Sequence, residues 1–287
     1  MLSFAKWNAY YRLTRLDKPI GIWLLMWPTL WGLLIAGQGQ TDLHVVAVFV
    51  LGTVLMRSSG CALNDIADRH WDGAVARTQA RPLATGEISV KEAYLVAMIL
   101  ALIAFALVCT LGWQVVLWSV PALFLAISYP YTKRFLAIPQ AYLGLAFGFG
   151  IPMTFVALKG QVPAVAWWLL MANVFWSVAY DTAYAMVDRE DDLKIGIRSS
   201  AITFGSFDVL AIMSCFAAMM VILAAVADKA GLGWPFWLGW GLALLLIARQ
   251  YPLIRKRDRQ KCFKAFLDNV WIGAALTAGI AFAYWLG

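Results

Sequence analysis

Charged residues divide this chain into long uncharged stretches, and those stretches limit what it can fold into. Residues 19–41 contain no Asp, Glu, Lys or Arg, and neither do residues 43–56, 135–158, 160–180, 209–227, 230–248 and 269–287. Residues 93–132 form a single uncharged run of 40 residues. One membrane crossing takes about 20 apolar residues in a helix, because lipid offers no partner for a backbone N–H or C=O. The 40-residue run is therefore two crossings, and the break is expected at Leu111-Gly112-Trp113. Nine transmembrane helices are predicted in all. Only 14% of the residues are charged, against roughly 25% in soluble domains. So few charges cannot cover a water-facing surface. The expected fold class is an all-α integral membrane protein, and no linker interrupts it, so residues 1–287 are read as one domain.

The basic residues check this count independently. If alternate loops face the cytoplasm, the inner side collects 20 Lys and Arg, from Lys6, Arg12, Arg15 and Lys18 through to the cluster at residues 249–264. The outer loops hold Lys159 and Lys229, and Arg57 lies within a span. The positive-inside rule then puts the N-terminus in the cytoplasm and the C-terminus outside. The net charge of +7 is mainly a topology signal, and no nucleic-acid partner is expected. The first apolar run is too long for a signal peptide and has no small-residue cleavage site.

The metal-binding residue types are sparse except for carboxylates. Cys61, Cys109, Cys215 and Cys262 form no CxxC pair, and His44 and His70 are the two histidines. A multi-histidine centre is excluded. Of the 16 acidic residues, ten fall in two segments. The first segment contains Asn64, Asp65, Asp68 and Asp72. If the second helix runs through it, Asn64, Asp68 and Asp72 share one face. The second contains Asp181, Asp188 and Asp192, at i, i+7 and i+11 on one face. Asp181 closes an apolar run, and intramembrane acids are costly and usually functional. Carboxylates crowded on one face repel unless a cation neutralises them. Oxygen donors without nearby Cys or His favour a hard cation, and Mg2+ takes a few carboxylates plus substrate phosphates. Two such clusters facing each other would bind a Mg2+–diphosphate.

A departing diphosphate also needs cationic side chains. Candidates are Arg77 and Arg81 after the first motif, Lys133 and Arg134 in the segment that begins Tyr129-Pro130-Tyr131, and Lys194 and Arg198 after the second motif. Arg57 lies about two turns before Asn64 and needs a partner if buried. It is expected to face the cavity, where it would hold substrate or pair with an acid of the cluster.

At these positions the chain resembles the UbiA-type intramembrane aromatic prenyltransferases. Asn64, Asp65, Asp68 and Asp72 match that family's NDxxDxxxD motif. Asp188 and Asp192, with Asp181 upstream, match its second acidic motif, and Tyr129 and Lys133 match its YxxxK loop. The similarity extends over nearly the whole chain and is greatest to the branch acting on 4-hydroxybenzoate. It implies nine helices around a central cavity with cytoplasmic cap loops, in a bacterial inner membrane with a periplasmic C-terminus. It also implies a role in ubiquinone biosynthesis. Polyprenyl diphosphate and 4-hydroxybenzoate are the implied substrates, Mg2+ the cofactor and membrane lipid the surrounding partner. In that scheme Asp68, Asp72, Asp188 and Asp192 hold Mg2+, with Asp65, Asp181 and Asn64 as direct or water-mediated ligands. Lys133, Arg77 and Lys194 stabilise the leaving diphosphate. Tyr129, Tyr131 and Tyr184 are candidate cavity aromatics that shield an allylic cation, and Arg134 or Arg57 takes the aromatic carboxylate.

Three rivals remain at this level, and one is a member of the same superfamily with another acceptor, such as dihydroxynaphthoate, homogentisate or haem, which the metal motifs do not separate. A CDP-alcohol phosphatidyltransferase signature fits Asp72-Gly73, Ala76-Arg77 and Gly86, but Val90 and Tyr94 stand where it needs two further Asp residues. A transporter would put its acids near helix centres; here they lie at the inner ends of spans.

Overall fold

In the computed structural model, residues 4–74 and 77–286 are described, and among them there are helices and turns but no strand. The helices are α1 (Phe4–Leu13), α2 (Ile20–Gly37), α3 (Leu43–Asp68), α4 (Val90–Cys109), α5 (Trp113–Thr132), α6 (Pro139–Gly148), α7 (Gly150–Lys159) and α8 (Ala164–Ile195). They continue with α9 (Ser200–Phe204), α10 (Asp208–Ala230), α11 (Trp234–Ala248), α12 (Gln250–Ile254) and α13 (Arg259–Leu286). Eight helical stretches among the described residues are long and apolar enough to cross a membrane; α6–α7, α9–α10 and α11–α12 each count as one. Their outer faces carry exposed Leu, Phe, Trp and Val, such as Leu102, Leu117, Val221 and Leu238, as a lipid-facing surface requires.

The uncharged 40-residue run divides where expected. Gly112 separates α4 from α5 with φ at +97°, a conformation that side-chain-bearing residues rarely adopt. The bundle is held by small-residue contacts and buried polar pairs. Trp31 of α2 stacks on Trp176 of α8, with ring centroids 5.2 Å apart. Their indole N–H groups donate to Thr277 (2.8 Å) and Asn269 (2.9 Å) of α13. Both side chains are fully buried, so the two bonds satisfy donors that lipid or apolar packing would leave unpaired.

A cavity of about 660 Å³ lies among α2 to α8, with Phe263 and Phe266 of α13 closing one wall. Helices α10 and α11 contribute no lining residue and buttress α8 and α13 from behind. Met98, Leu102 and Phe105 of α4 and Leu123 of α5 line the cavity and are also exposed on the outer surface. The cavity therefore reaches the lipid-facing side between these two helices.

The first acidic motif differs from the expected continuous helix. Helix α3 ends at Asp68, and Asp72 begins a 3₁₀ turn, residues 72–74. The Trp71 N–H turns back to the Asp68 carbonyl (2.9 Å), and the Thr78 hydroxyl donates to the Asp72 carbonyl (2.8 Å). Asn64 and Asp68 keep their i, i+4 relation; Asp72 reaches the site from the turn.

Candidate active site

Both acidic motifs open onto one small polar pocket beside the large cavity. Asp68 and Asp72 line it from one side, and Asp181, Asp188 and Asp192 of α8 from the other. Arg77, Arg81, Tyr129, Lys133, Asp181 and Tyr184 line both spaces, so the pocket and the cavity share a wall. The cavity is otherwise mostly apolar, with Leu24, Val48, Phe49, Phe105, Phe149 and Met153 among its lining.

Each motif carboxylate of the first segment has a cationic neighbour. Asp65, only 1% exposed, accepts from Arg15 (2.9 Å) and pairs with Arg81 (3.0 Å). Arg81 also donates to both oxygens of Asp72, at 2.8 and 2.9 Å, so one guanidinium bridges the two acids. Asp68 accepts from the Asn64 amide (3.1 Å) and from Lys133 (3.3 Å). Across the pocket, Arg77 grips Asp188 through Nε and Nη2, with contacts of 2.6 to 3.1 Å. Its guanidinium lies 4.6 Å from the Tyr184 ring centroid. Gln140 lines the pocket beside Asp181 and accepts from the Ser200 N–H at 3.0 Å, and Asp192 has no ion pair among the described residues. Burial pulls the Lys133 ammonium down, but the carboxylate of Asp68 and the Tyr129 hydroxyl outweigh it and hold Lys133 above the ordinary lysine value. Lys133 is thus charged at neutral pH.

Among the described residues no three Asp, Glu, His or Cys side chains converge closely enough to hold a metal ion by themselves. The donor set nevertheless fits Mg2+. The pocket presents carboxylate and amide oxygens with no Cys or His in its lining, and Mg2+ completes its shell with phosphate oxygens and water rather than a full protein cage. Asp65, Asp68, Asp72 and Asp188 are balanced by Arg15, Lys133, Arg81 and Arg77, and Asp181 and Asp192 have no ion pair among the described residues. A diphosphate arriving alone would upset that balance; arriving with divalent cations, it would roughly preserve it.

Other candidates fall in different places. Arg57 lines the large cavity and makes no ion pair among the described residues. Its Nη1 lies 2.9 Å from the Cys61 sulfur, its guanidinium lies 5.4 Å from the Phe147 ring centroid, and its buried Nε has no partner. Gly21 makes room for it, since a Cβ there would lie 2.4 Å from Nε. Arg134 lines neither space. It lies 4.8 Å from the Trp71 ring centroid and 5.1 Å from that of Tyr131, and donates to the Ala67 carbonyl (3.1 Å). Those contacts pin the end of α3, and Tyr131 points outward with it. Lys194 is 75% exposed and pairs only loosely with Asp191, at 3.7 Å; it too lines neither space. Arg15 and Gln140 are functional neighbours that sequence reasoning misses. Arg15 is 50 residues from Asp65, so no local spacing links them. Gln140 leaves a faint trace as a polar residue within an apolar run.

The model of the UbiA prenyltransferase family matches residues 25–284. The chain belongs to the UbiA prenyltransferase family. It is 61% identical to the 4-hydroxybenzoate octaprenyltransferase of Methylobacillus flagellatus, over 96% of this chain and 93% of that one. It is 57% identical to the enzyme of the same name from Azoarcus sp., over 97% of each chain. Among solved structures, a UbiA homolog from Aeropyrum pernix superposes with a TM-score of 0.81 at 25% identity, over 91% of this chain and 97% of that one. A UbiA homolog from Archaeoglobus fulgidus, solved bound to GPP and Mg2+, gives 0.69 at 19% identity, over 95% and 99%. The UbiA fold is thus common to them all.

Proposed function

We propose that this UbiA-family chain transfers a polyprenyl group from its diphosphate to the ring carbon ortho to the hydroxyl of 4-hydroxybenzoate. Diphosphate is released, and the product feeds ubiquinone biosynthesis. The observation that carries this reading is the shared wall between an apolar cavity and a pocket lined by both acidic motifs. A prenyl diphosphate has that same division. Its tail suits the apolar lining, and a long tail can pass between α4 and α5 into lipid. Its head suits the pocket with Asp68, Asp72, Asp188 and Asp192.

Mg2+ bound between these carboxylates, with Asn64, Asp65 and Asp181 as further donors, would neutralise the diphosphate and weaken its allylic C–O bond. Lys133, Arg77 and Arg81 are then free to turn from carboxylates to phosphate oxygens. When the C–O bond breaks, its electron pair leaves with the diphosphate. The rings of Tyr129 and Tyr184 border the place where the allylic cation forms, and apolar walls keep water away. The π electrons of the acceptor ring form the new C–C bond, and loss of the ring proton restores aromaticity. Arg57 is the best carboxylate fork for 4-hydroxybenzoate, since it faces the cavity and has no ion pair among the described residues. Arg134 is tied to Trp71 and Ala67. Arg134→Ala is expected to leave the aromatic KM within about twofold, measured by varying 4-hydroxybenzoate at saturating diphosphate.

We read α8 as a ninth span, entering the bilayer at Ala164 and leaving it after Tyr180, and residues 1–287 as one domain. The basic residues then place both motifs, with their cap loops, on the cytoplasmic side of a bacterial inner membrane. The N-terminus is cytoplasmic and the C-terminus periplasmic.

Membranes containing the chain, given octaprenyl diphosphate and labelled 4-hydroxybenzoate, are expected to form a prenylated acid with Mg2+ and none with excess chelator. The relatives' names make the eight-unit diphosphate the first to try. Equal product after chelation would sink the Mg2+ assignment, and prenylation of a different acceptor alone would sink the aromatic one.

A further inference from the structure

Asp188 and Asp192 stand on the end of α8, beyond Val187, which packs partly buried against the apolar core. Thr182, Ala183, Ala185 and Met186 are buried, but none of residues 187–194 is. This end of the helix runs beyond the apolar stretch, and the two acids must still point into the pocket. The three residues between them lie outside the pocket and make ion pairs to other helices. Arg189 reaches Asp208 at the start of α10, with Nη1 3.3 Å from Oδ2. Glu190 and Asp191 meet Arg259 of α13, at 2.9 and 3.9 Å.

Asp208 is the centre of these ties. It is fully buried and lines neither the cavity nor the pocket. Arg257, in the turn between α12 and α13, holds both of its oxygens, with Nη2 2.7 Å from Oδ1 and Nε 3.0 Å from Oδ2. The same Nη2 donates to the Ser206 carbonyl at 2.8 Å. Arg257 adopts φ of +54°, a backbone conformation unusual for a residue with a side chain. A buried carboxylate with two guanidinium partners is costly to break from either side.

We propose that Asp208 is a positioning residue for the second acidic motif. Through Arg189, and braced by Arg257, it fixes the rotation of the α8 end so that Asp188 and Asp192 face Asp68 and Asp72. It touches no substrate. The inference rests on the proposed reading of the pocket as a metal–diphosphate site.

Asp208→Asn keeps the side-chain shape and removes the charge. Purified wild type and variant are titrated with Mn2+ in the presence of inorganic diphosphate, with free ion measured by electron paramagnetic resonance. Amide hydrogen exchange is followed over residues 187–195. The expected result is about tenfold weaker Mn2+ binding, as small misplacements of a site give, with faster exchange in that segment. The KM for the aromatic acceptor is expected to stay unchanged, and Asp208→Glu to recover part of the Mn2+ affinity. Wild-type Mn2+ affinity in folded Asp208→Asn overturns the inference. If that variant is not recovered folded, Arg257→Gln, which leaves Arg189 on Asp208, takes its place under the same criterion. Asp188→Ala is run alongside. If it also binds Mn2+ normally, the metal reading of the pocket is what fails; if it alone loses affinity, only the role of Asp208 does.

Discussion

Asp188→Ala is expected to lower prenyl transfer by at least about 10³-fold while the protein stays folded in the membrane. Asp188 lines the polar pocket, its side chain is 13% exposed, and both ends of the Arg77 guanidinium fork depend on it. On the proposed reading, removing it would delete a donor to the metal and release a cation toward the phosphate, so charge balance and geometry would be lost together. The fold is expected to tolerate the change because no residue from 187 to 194 is buried. Asp68→Ala is the matching change across the pocket, where Lys133 and Asn64 lose their partner. Product formation in Mg2+-supplied membranes, with detergent extraction and thermal melting as controls, measures both. Normal turnover by either variant would remove that residue from the metal site.

Arg57→Ala is expected to act on the other substrate. Truncating one partner of a buried, hydrogen-bonded charge pair costs about 2–4 kcal/mol, or roughly 30- to 1000-fold. The loss should appear in the aromatic KM and leave the diphosphate KM nearly unchanged. Arg57→Lys should recover little, because an ammonium lacks the planar fork that fits a carboxylate. Gly21→Ala offers an independent check without touching the arginine. Its new Cβ would lie 2.4 Å from Nε, so the guanidinium must move, and the same KM should rise. A diphosphate KM that rises as much as the aromatic one would put Arg57 at the head group instead.

Much of this arrangement is legible in the amino-acid sequence. The uncharged runs predict the crossing helices and the break at Gly112, because the bilayer imposes one rule on every backbone group. The one-face spacing of Asp181, Asp188 and Asp192 holds, since α8 continues unbroken to Ile195. The same logic fails at Asp72, where Trp71, Thr78 and Arg81 turn the chain away from the helix. Long-range pairing is not legible. Arg15 reads as a topology charge, and no spacing in the sequence singles out Asp208, because only tertiary packing brings each to its partner. The sequence leaves both Arg57 and Arg134 as candidates for the aromatic carboxylate. The stacking of Arg134 against Trp71 and Tyr131, and the place of Arg57 in the cavity wall with no ion pair among the described residues, separate them.

On the proposed reading the two acidic motifs act together on a metal-bound diphosphate. Equilibrium binding of a non-reactive prenyl diphosphate analogue to the purified protein tests it most directly, with and without Mg2+, in wild type, Asp68→Ala and Asp188→Ala. Wild type is expected to bind tightly only when Mg2+ is present, and either variant to lose that metal-dependent binding. Tight binding without Mg2+, or Mg2+-dependent binding that survives both substitutions, would contradict it.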